Sequence, residues 1–206
     1  MNTTTKAELK DGWRWAMLGE VSEVIGGSTP DTGNPSYWDG EIAWVTPTDL
    51  GKLASIEIAQ TERYITHAGL GSCGAQMLPR GAVLMSSRAP IGHLAIADVP
   101  VCTNQGCKSF VPSSDVDSLF LYWALKWTVP DIRALGSGAT FAEVSKSSLQ
   151  RFRVPLPGLS EQRIIATVVR EQMDLVSRAR TAAEEGLAAL QAMPSAILRQ
   201  AFKTAR

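Results

Sequence analysis

The side chains that most often perform covalent chemistry are sparse in this sequence. His67 and His93 are its only histidines, and no Gly-x-Ser-x-Gly nucleophile motif accompanies them. Cys73, Cys102 and Cys107 form no Cys-x-x-Cys pair, match no zinc-ligand spacing and are too few for a disulfide framework. The sequence therefore predicts a chain that is not an enzyme and that carries no metal and no cofactor of its own.

Two short motifs resemble ligand sites, but their surroundings favour simpler interpretations. The segment from Gly69 to Gly74 has the G-x-G-x-x-G pattern, yet Pro79 follows where a dinucleotide site requires a helix. A glycine-rich turn is the favoured interpretation. The run Asn34-Pro35-Ser36-Tyr37 resembles the Asn/Asp-Pro-Pro-Tyr/Phe motif of amino-methyltransferases, but no cofactor-binding strand-helix units surround it. A loop contact is the expected role of that run.

Short strands must position any binding residues in the first three quarters of the chain, because brief apolar runs alternate there with Gly and Pro. The predicted strands are 42–45, 81–88 leading into a loop, 93–97, a pair around the turn 103–108, and 152–155. Residues 28–40 read as a polar loop with exposed aromatic side chains. Mixed short strands and helices predict an α+β head.

One helix is predicted inside the head, capped by Asp115 or Asp117 and limited by Pro130. Its inward-facing positions are Leu119, Phe120, Tyr122, Trp123 and Trp127. Core positions are expected for the tryptophans at 13, 15, 44, 123 and 127, whereas Trp38 lies in the polar loop and is left undecided.

The last quarter of the chain predicts one long helix with coiled-coil character, for which Ser160 is a suitable N-cap. Its apolar and small residues recur every three or four positions, as in the a/d seam of a coiled coil. Over residues 160–203 such a helix spans about 66 Å, more than the head can cover. A partner helix is therefore predicted to contact Ile165, Val168, Leu175, Ala179 and Ala182. Pro194 is expected to kink or break the helix near Met193.

Size and composition fit one head, residues 1–158, followed by one helical arm, residues 159–206. The chain has 206 residues, 45% of them hydrophobic and 19% charged, with neither a membrane-spanning run nor a secretion signal, so a cytoplasmic location is expected. The net charge is zero, which does not by itself indicate a nucleic-acid binder. A local basic strip around Arg133, Lys146, Arg151 and Arg153 permits one.

Several of these segments together resemble the specificity subunit of type I restriction-modification systems. The matching segments follow in the family's order across nearly the whole chain: 13–21, 28–38, 44–45, 49–50, 84–92, 104–105 and 156–164. The passage from Leu156-Pro157 into Glu161-Gln162-Arg163-Ile164 is the most specific of them. The family's subunit holds two target-recognition domains, each followed by a long helix, and this chain resembles one such half. A natural half-subunit and a truncated form both fit.

The resemblance implies a division of labour. This chain reads double-stranded DNA, a partner methyltransferase binds S-adenosylmethionine and methylates adenine, and a restriction subunit is a further component. Two copies joined by antiparallel helices would read an inverted repeat with a central gap. Side chains with suitable chemistry for reading bases are Tyr37, Thr48, Arg88, Asn104, Gln105 and Lys108. Ser137, Thr140 and Lys146 are expected to hold phosphates.

Each of these polar side chains also has a plain structural interpretation, and Arg88 bonded to its own turn is the main rival to Arg88 bonded to guanine. A second class of function stays open as well. The chain can be an assembly or inhibitory module that binds the methyltransferase through its arm without reading DNA, which the near-neutral head favours.

Overall fold

The structure is a computed structural model that describes residues 9–136 and 142–203. The chain divides into two compact units, with the division between Ile165 and Ala166. The first unit mixes short strands and helices, and the second is a single helical segment. The predicted α+β class with a long C-terminal helix is therefore confirmed.

The described residues contain ten strands and six α-helices. The strands are β1 (Arg14–Met17), β2 (Ser22–Gly26), β3 (Trp38–Val45), β4 (Glu57–Ile58), β5 (Tyr64–Ile65), β6 (Val83–Ser86), β7 (Leu94–Ala97), β8 (Val101–Thr103), β9 (Cys107–Pro112) and β10 (Arg153–Leu156). The helices are α1 (Leu18–Val21), α2 (Pro47–Lys52), α3 (His67–Gly71), α4 (Ser118–Ala134), α5 (Lys146–Arg151) and α6 (Leu159–Lys203). A single 3-10 turn, Pro35–Tyr37, precedes β3.

The strands of the described residues form three sheets. A five-stranded sheet has the order β2-β9-β6-β7-β4, a three-stranded sheet has the order β5-β3-β8, and β1 pairs with β10. The side chains of Val45, Leu78, Leu84 and Val101 are fully buried in one cluster that joins the two larger sheets. Burial of such side chains, at about 2 kcal/mol each, is the main force that holds the sheets together.

The predicted pairing of the strands on either side of the turn 103–108 is wrong. β8 runs parallel to β3, with Ala43 opposite Val101, whereas β9 pairs with β2 and β6 in the other sheet. The turn thus carries the chain from one sheet to the other instead of closing a hairpin. The turn lies beside the last residues of β3 in one sheet and of β2 and β6 in the other.

Helix α4 confirms the predicted cap but not the predicted end. Asp117 Oδ1 accepts a hydrogen bond from the Phe120 amide at 2.9 Å. The helix continues past Pro130 to Ala134, since Ile132 is fully buried and packing in this last turn offsets the lost amide donor. Trp127 is 54% exposed, so its predicted core position is also wrong. It stands one helical position from the buried Thr128, on the outer face of α4.

Helix α6 begins at Leu159, before the predicted N-cap, so Ser160 lies in its first turn and does not cap it. The helix is anchored in the first unit by Gln162, which is almost completely buried. Gln162 Oε1 accepts from the Asp117 amide at 2.9 Å, and Gln162 Nε2 donates to the carbonyls of Asp115 and Pro157. Gln162 therefore joins the first turns of α6 to the start of α4.

The helix runs through Pro194 to Lys203 without a break. The break that was predicted near Met193 is therefore absent, and the alternative, a kink, stays a prediction. In the part of the chain that the structure describes, no helix is long and apolar enough to cross a membrane.

Candidate nucleic-acid interface

Three segments that are distant in sequence converge at Gly106, in the turn between β8 and β9. A Cβ atom on Gly106 would lie 3.0 Å from Pro47 Cγ, 3.1 Å from Arg88 Nε and 3.2 Å from Asn104 Oδ1. The start of α2, the loop after β6 and the turn 103–107 therefore meet at one point. This point brings together Arg88, Asn104, Gln105 and Lys108 of the predicted base-reading residues, with Thr48 beside Pro47 at its margin.

Ser87 fastens these segments to one another. It is fully buried, and both its amide and its hydroxyl donate to the Gly106 carbonyl, at 2.8 and 3.1 Å. Its own carbonyl accepts from the Val144 amide at 3.0 Å. Because one residue binds both the 103–107 turn and the segment at 143–144, the side chains displayed by these segments keep fixed positions relative to each other.

Lys108 is held inside this cluster. Its side chain is 11% exposed, and Lys108 Nζ donates to Ser87 Oγ, the Gln105 carbonyl and Glu143 Oε1, each at 3.2 Å. An ammonium group has three protons, so these three acceptors use its full donor capacity. The structure thus gives Lys108 an internal role in shaping the turn and in neutralising Glu143.

Replacing Lys108 with Met is expected to lower the free energy of unfolding by about 2 kcal/mol. The substitution keeps the apolar stem but leaves the Glu143 carboxylate and the Gln105 carbonyl without their buried donor. Urea unfolding of the two proteins measures the difference. Lys146→Met, which removes the same charge from an exposed side chain, serves as the control and should stay within about 0.5 kcal/mol. Equal losses for the two variants would contradict the buried role of Lys108.

Arg88 projects from a loop whose backbone is tightly held. Ser86 Oγ donates to the Pro90 carbonyl at 2.7 Å, and Arg133 Nε donates to the Ile91 carbonyl at 2.8 Å. Gly92, with φ of 98°, packs so closely on Val129 that a Cβ there would lie 2.4 Å from its methyl carbon. The loop therefore presents Arg88 from a rigid base, with 38% of its side chain exposed.

Glu143 is the charged neighbour of Arg88. The two residues form an isolated antiparallel bridge, and Arg88 Nη1 lies 3.9 Å from Glu143 Oε2. That separation is an ion pair but exceeds hydrogen-bond length. The rival interpretation of Arg88, an arginine bonded to its own turn, does not describe this geometry, since its charged partner comes from a segment 55 positions along the chain.

Asn104 and Gln105 lie on the turn itself. Asn104 Oδ1 accepts from the Gly106 amide at 2.9 Å and thereby stabilises the turn. The Thr29 hydroxyl donates to Gln105 Oε1, so the exposed Gln105 side chain is held by the polar loop that contains Thr29. Asn104 and Gln105 thus combine a positioning role with donor groups that remain in the side chain.

Tyr37 and Lys146 lie away from this cluster. Tyr37 comes before β3 and Thr48 after its end, so the two residues lie at opposite ends of that strand. Lys146 lines a groove with Glu20, Glu23 and Gln150 near the Ser22 end of β2, whereas Lys108 faces Gly26 at the other end. Ser137 and Thr140 lie outside the described residues.

Two cysteines and one histidine lie in surroundings that favour their neutral forms. Burial raises the pKa of the Cys102 and Cys107 thiols to about 12, so both are neutral thiols near neutral pH. Burial, with the positive charges of Lys126 and Arg133, lowers the pKa of His93 below its usual value. No group of three or more His, Cys, Asp and Glu in these ranges can hold a metal ion.

The centre of the cluster includes three residues that the sequence did not single out: Glu143, Ser87 and Gly106. No role for Glu143 was predicted from the sequence. Its role depends on a contact with Lys108, 35 positions away, that no local pattern encodes. The Ser86-Ser87-Arg88 run was the available signal, because two small polar residues end a buried strand beside a charged one.

Comparison with known proteins assigns the chain to a family. The model of the type I restriction modification DNA specificity domain matches residues 10–175. The chain therefore belongs to the type I restriction-modification DNA specificity family, and the predicted resemblance is confirmed. The family is one of specificity subunits, which agrees with the prediction that the chain is not an enzyme.

Individual relatives support the assignment. The chain is 37% identical over 175 residues to the type I restriction enzyme MjaIX specificity subunit of Methanocaldococcus jannaschii, an alignment that covers 84% of this chain and 40% of that protein. It is 26% identical to the EcoR124I/EcoR124II specificity subunit of Escherichia coli, over 84% of this chain and 43% of the relative. The chain thus spans less than half the length of these curated relatives.

Solved structures show the same fold. A chain from a structural study of complex assembly and conformational transition of the type I R-M system superposes with a TM-score of 0.79 at 28% identity, covering 98% of this chain and 48% of that one. The HsdS subunit from Thermoanaerobacter tengcongensis superposes with a TM-score of 0.66 at 26% identity, over 84% of this chain and 41% of that one.

Proposed function

We propose that the chain is the DNA-reading component of a type I restriction-modification complex and that the residues around Gly106 meet the bases. The observation that carries the proposal is the rigid display of Arg88, beside Asn104 and Gln105, on loops fastened by Ser87. Arginine and the side-chain amides are the residues best suited to the major-groove edges of guanine and adenine. Tyr37 and Lys146, together with Ser137 and Thr140, remain proposed peripheral or phosphate contacts.

The proposal includes a dimer formed through α6. Val168 is 50% exposed and Leu175 is 58% exposed, and every side chain from residue 171 to residue 203 is exposed. Ala179 and Ala182 continue the same face and are small enough for two helices to approach closely. A second copy is the occupant that fits, because two antiparallel helices would carry one head at each end. An inverted repeat with a central gap is the expected target.

Catalysis is proposed to come from partners. A methyltransferase subunit that binds S-adenosylmethionine would methylate adenine-N6 at the site that this chain reads, and a restriction subunit is a further proposed component. Support comes from the structural neighbour of highest TM-score cited above, which was studied in the context of assembly of the type I R-M system. The domain division proposed for this role is a reading head of residues 1–158 and an arm of residues 159–206.

Two measurements test the function. The affinity of the chain for a random-sequence DNA duplex, followed as a function of salt, should fall steeply, because bound phosphates release counterions. Methylation sequencing of DNA treated with the chain and its methyltransferase should then reveal adenine modified within a gapped inverted repeat. Tight, salt-insensitive binding to the methyltransferase without any directed methylation would instead support an assembly or inhibitory module.

Replacing Arg88 with Ala is expected to reduce selectivity at one base pair by about tenfold to a hundredfold. The guanidinium is the exposed group in the cluster that can form two parallel hydrogen bonds to guanine O6 and N7. Competition binding against DNA duplexes that differ at single base pairs measures the effect. Arg88→Lys should lose nearly as much selectivity, since lysine keeps the charge but lacks the planar guanidinium that donates two parallel hydrogen bonds.

Arg80→Ala is the matched control for this experiment. Arg80 is exposed, pairs with Asp98 at 2.7 Å and lies before β6, at the opposite end of that strand from Arg88. The Arg80→Ala substitution removes the same charge without altering the cluster, so only a small, sequence-independent change in DNA affinity is expected. Retained selectivity in Arg88→Ala would contradict base reading by Arg88.

A further inference from the structure

We propose that Glu143 and Arg88 together read a single G·C base pair, with Arg88 donating to guanine and Glu143 accepting from the cytosine amino group. This inference rests on the proposed DNA-reading function and names the base pair that the cluster around Gly106 recognises. Its starting point is the geometry of two opposite charges that stand side by side at the exposed edge of the cluster without closing into a hydrogen bond.

The Glu143 carboxylate has one occupied oxygen and one oxygen turned toward Arg88. Oε1 accepts from Lys108 Nζ at 3.2 Å. Within residues 9–136 and 142–203, Oε2 has no hydrogen bond and lies 3.9 Å from Arg88 Nη1. The Glu143 side chain is 41% exposed, so a donor from outside the protein can approach the residue.

A carboxylate can only accept hydrogen bonds, so among base edges in the major groove it selects an amino group. The cost of bringing a negative charge close to DNA is reduced here, because the buried Lys108 ammonium neutralises it from behind. Lys108 cannot withdraw from this role without losing its bonds to Ser87 and Gln105. Glu143 is therefore a fixed, partly neutralised acceptor.

The separation of the two charged groups matches one base pair. In a G·C pair guanine O6 and cytosine N4 share a Watson-Crick hydrogen bond, which places them about 2.9 Å apart at the major-groove edge. Arg88 Nη1 and Glu143 Oε2, 3.9 Å apart, can each meet one of these atoms from the same side. Guanine O6 and cytosine N4 present an acceptor beside a donor, the complement of an arginine beside a glutamate.

The test is a selection of DNA duplexes from a randomised library with the purified chain at about 50 mM salt, followed by sequencing. The unmodified chain should select a motif that contains a G·C pair, and Arg88→Ala should relax that pair. Glu143→Gln should alter the preference at this same pair by about tenfold and leave the other positions unchanged. With its amide oxygen still on Lys108, the glutamine presents an NH₂ donor that cannot accept from the cytosine amino group, so the preference for G·C should weaken while Arg88 still favours guanine.

Glu143→Ala provides a second variant, which should weaken the preference at that pair to a similar extent, because Arg88 still reads guanine. Glu23→Gln, the same change on an exposed side chain of β2, is the control that should leave the motif intact. The inference is overturned if Glu143→Gln changes no position, weakens all positions equally, or alters a pair that Arg88 does not affect. Failure of the unmodified chain to select any motif overturns the proposed DNA reading itself, a result distinct from the other three.

Discussion

A chain carrying Leu175→Asp is expected to have the monomer mass in solution at concentrations where the unmodified chain is a dimer. Leu175 is 58% exposed on α6, in a stripe of apolar side chains that no other part of the described chain covers. In an antiparallel dimer the substitution occurs twice, once in each helix. Losing two buried leucines, at about 2 kcal/mol each, should weaken the dimer by about a thousandfold.

Ser177→Asp is the matched control for the dimer experiment. It introduces the same charge two residues further on, about 200° around the helix, on the polar face. Light scattering should show a dimer for Ser177→Asp and a monomer for Leu175→Asp, with similar helix content by circular dichroism. A dimer that persists in Leu175→Asp would defeat the proposal that α6 pairs through this face.

The second large effect is expected from Gly27→Ala, which should lower the free energy of unfolding by about 3 kcal/mol. A Cβ atom on Gly27 would lie 2.0 Å from the Asn104 carbonyl oxygen and 2.4 Å from that of Thr103. Both atoms belong to the backbone, so neither can rotate away. The strand end must move instead, at the expense of the 2.9 Å hydrogen bond from the Ser28 amide to the Thr103 carbonyl.

The same displacement should reach the recognition cluster, because Asn104 begins the turn that carries Gln105 and Gly106. DNA affinity should therefore fall even at temperatures where Gly27→Ala remains folded. Urea unfolding and fluorescence anisotropy with a labelled DNA duplex measure the two effects. Gly71→Ala is the control, since a Cβ there meets no heavy atom of the described residues within 4 Å. Unchanged stability of Gly27→Ala would refute the close packing of these two segments.

Much of the secondary structure follows from local sequence patterns. The strands at 42–45, 83–86 and 94–97 and the long C-terminal helix were all predicted, because alternating apolar runs and three-to-four spacing are properties of neighbouring residues. Asp117 was likewise predictable as a cap. The error at Pro130 concerns context, since packing of the last turn of α4 outweighs one missing amide. Pro194 does not break its helix, and the alternative prediction of a kink there stays a prediction.

The candidate site was likewise predictable from the sequence only in part. Arg88, Asn104 and Gln105 could be chosen from the sequence, because their side chains have base-reading chemistry and lie in predicted loops. The sequence could not show that Tyr37 and Lys146 lie elsewhere, or that Lys108 points inward. A lysine in a loop has the same sequence pattern whether its side chain faces solvent or is enclosed, as here, by Ser87, Gln105 and Glu143.

By itself the sequence determined the kind of protein: an α+β head without residues suited to catalysis, a helix with one apolar face, and family motifs along most of its length. These properties depend on residue types and short spacings. Only the tertiary structure decided which polar groups act together, as in the approach of Glu143 to Arg88 and Lys108 and of Gly27 to Asn104. Such contacts join residues tens of positions apart, and the path of the chain between two sheets brings them together.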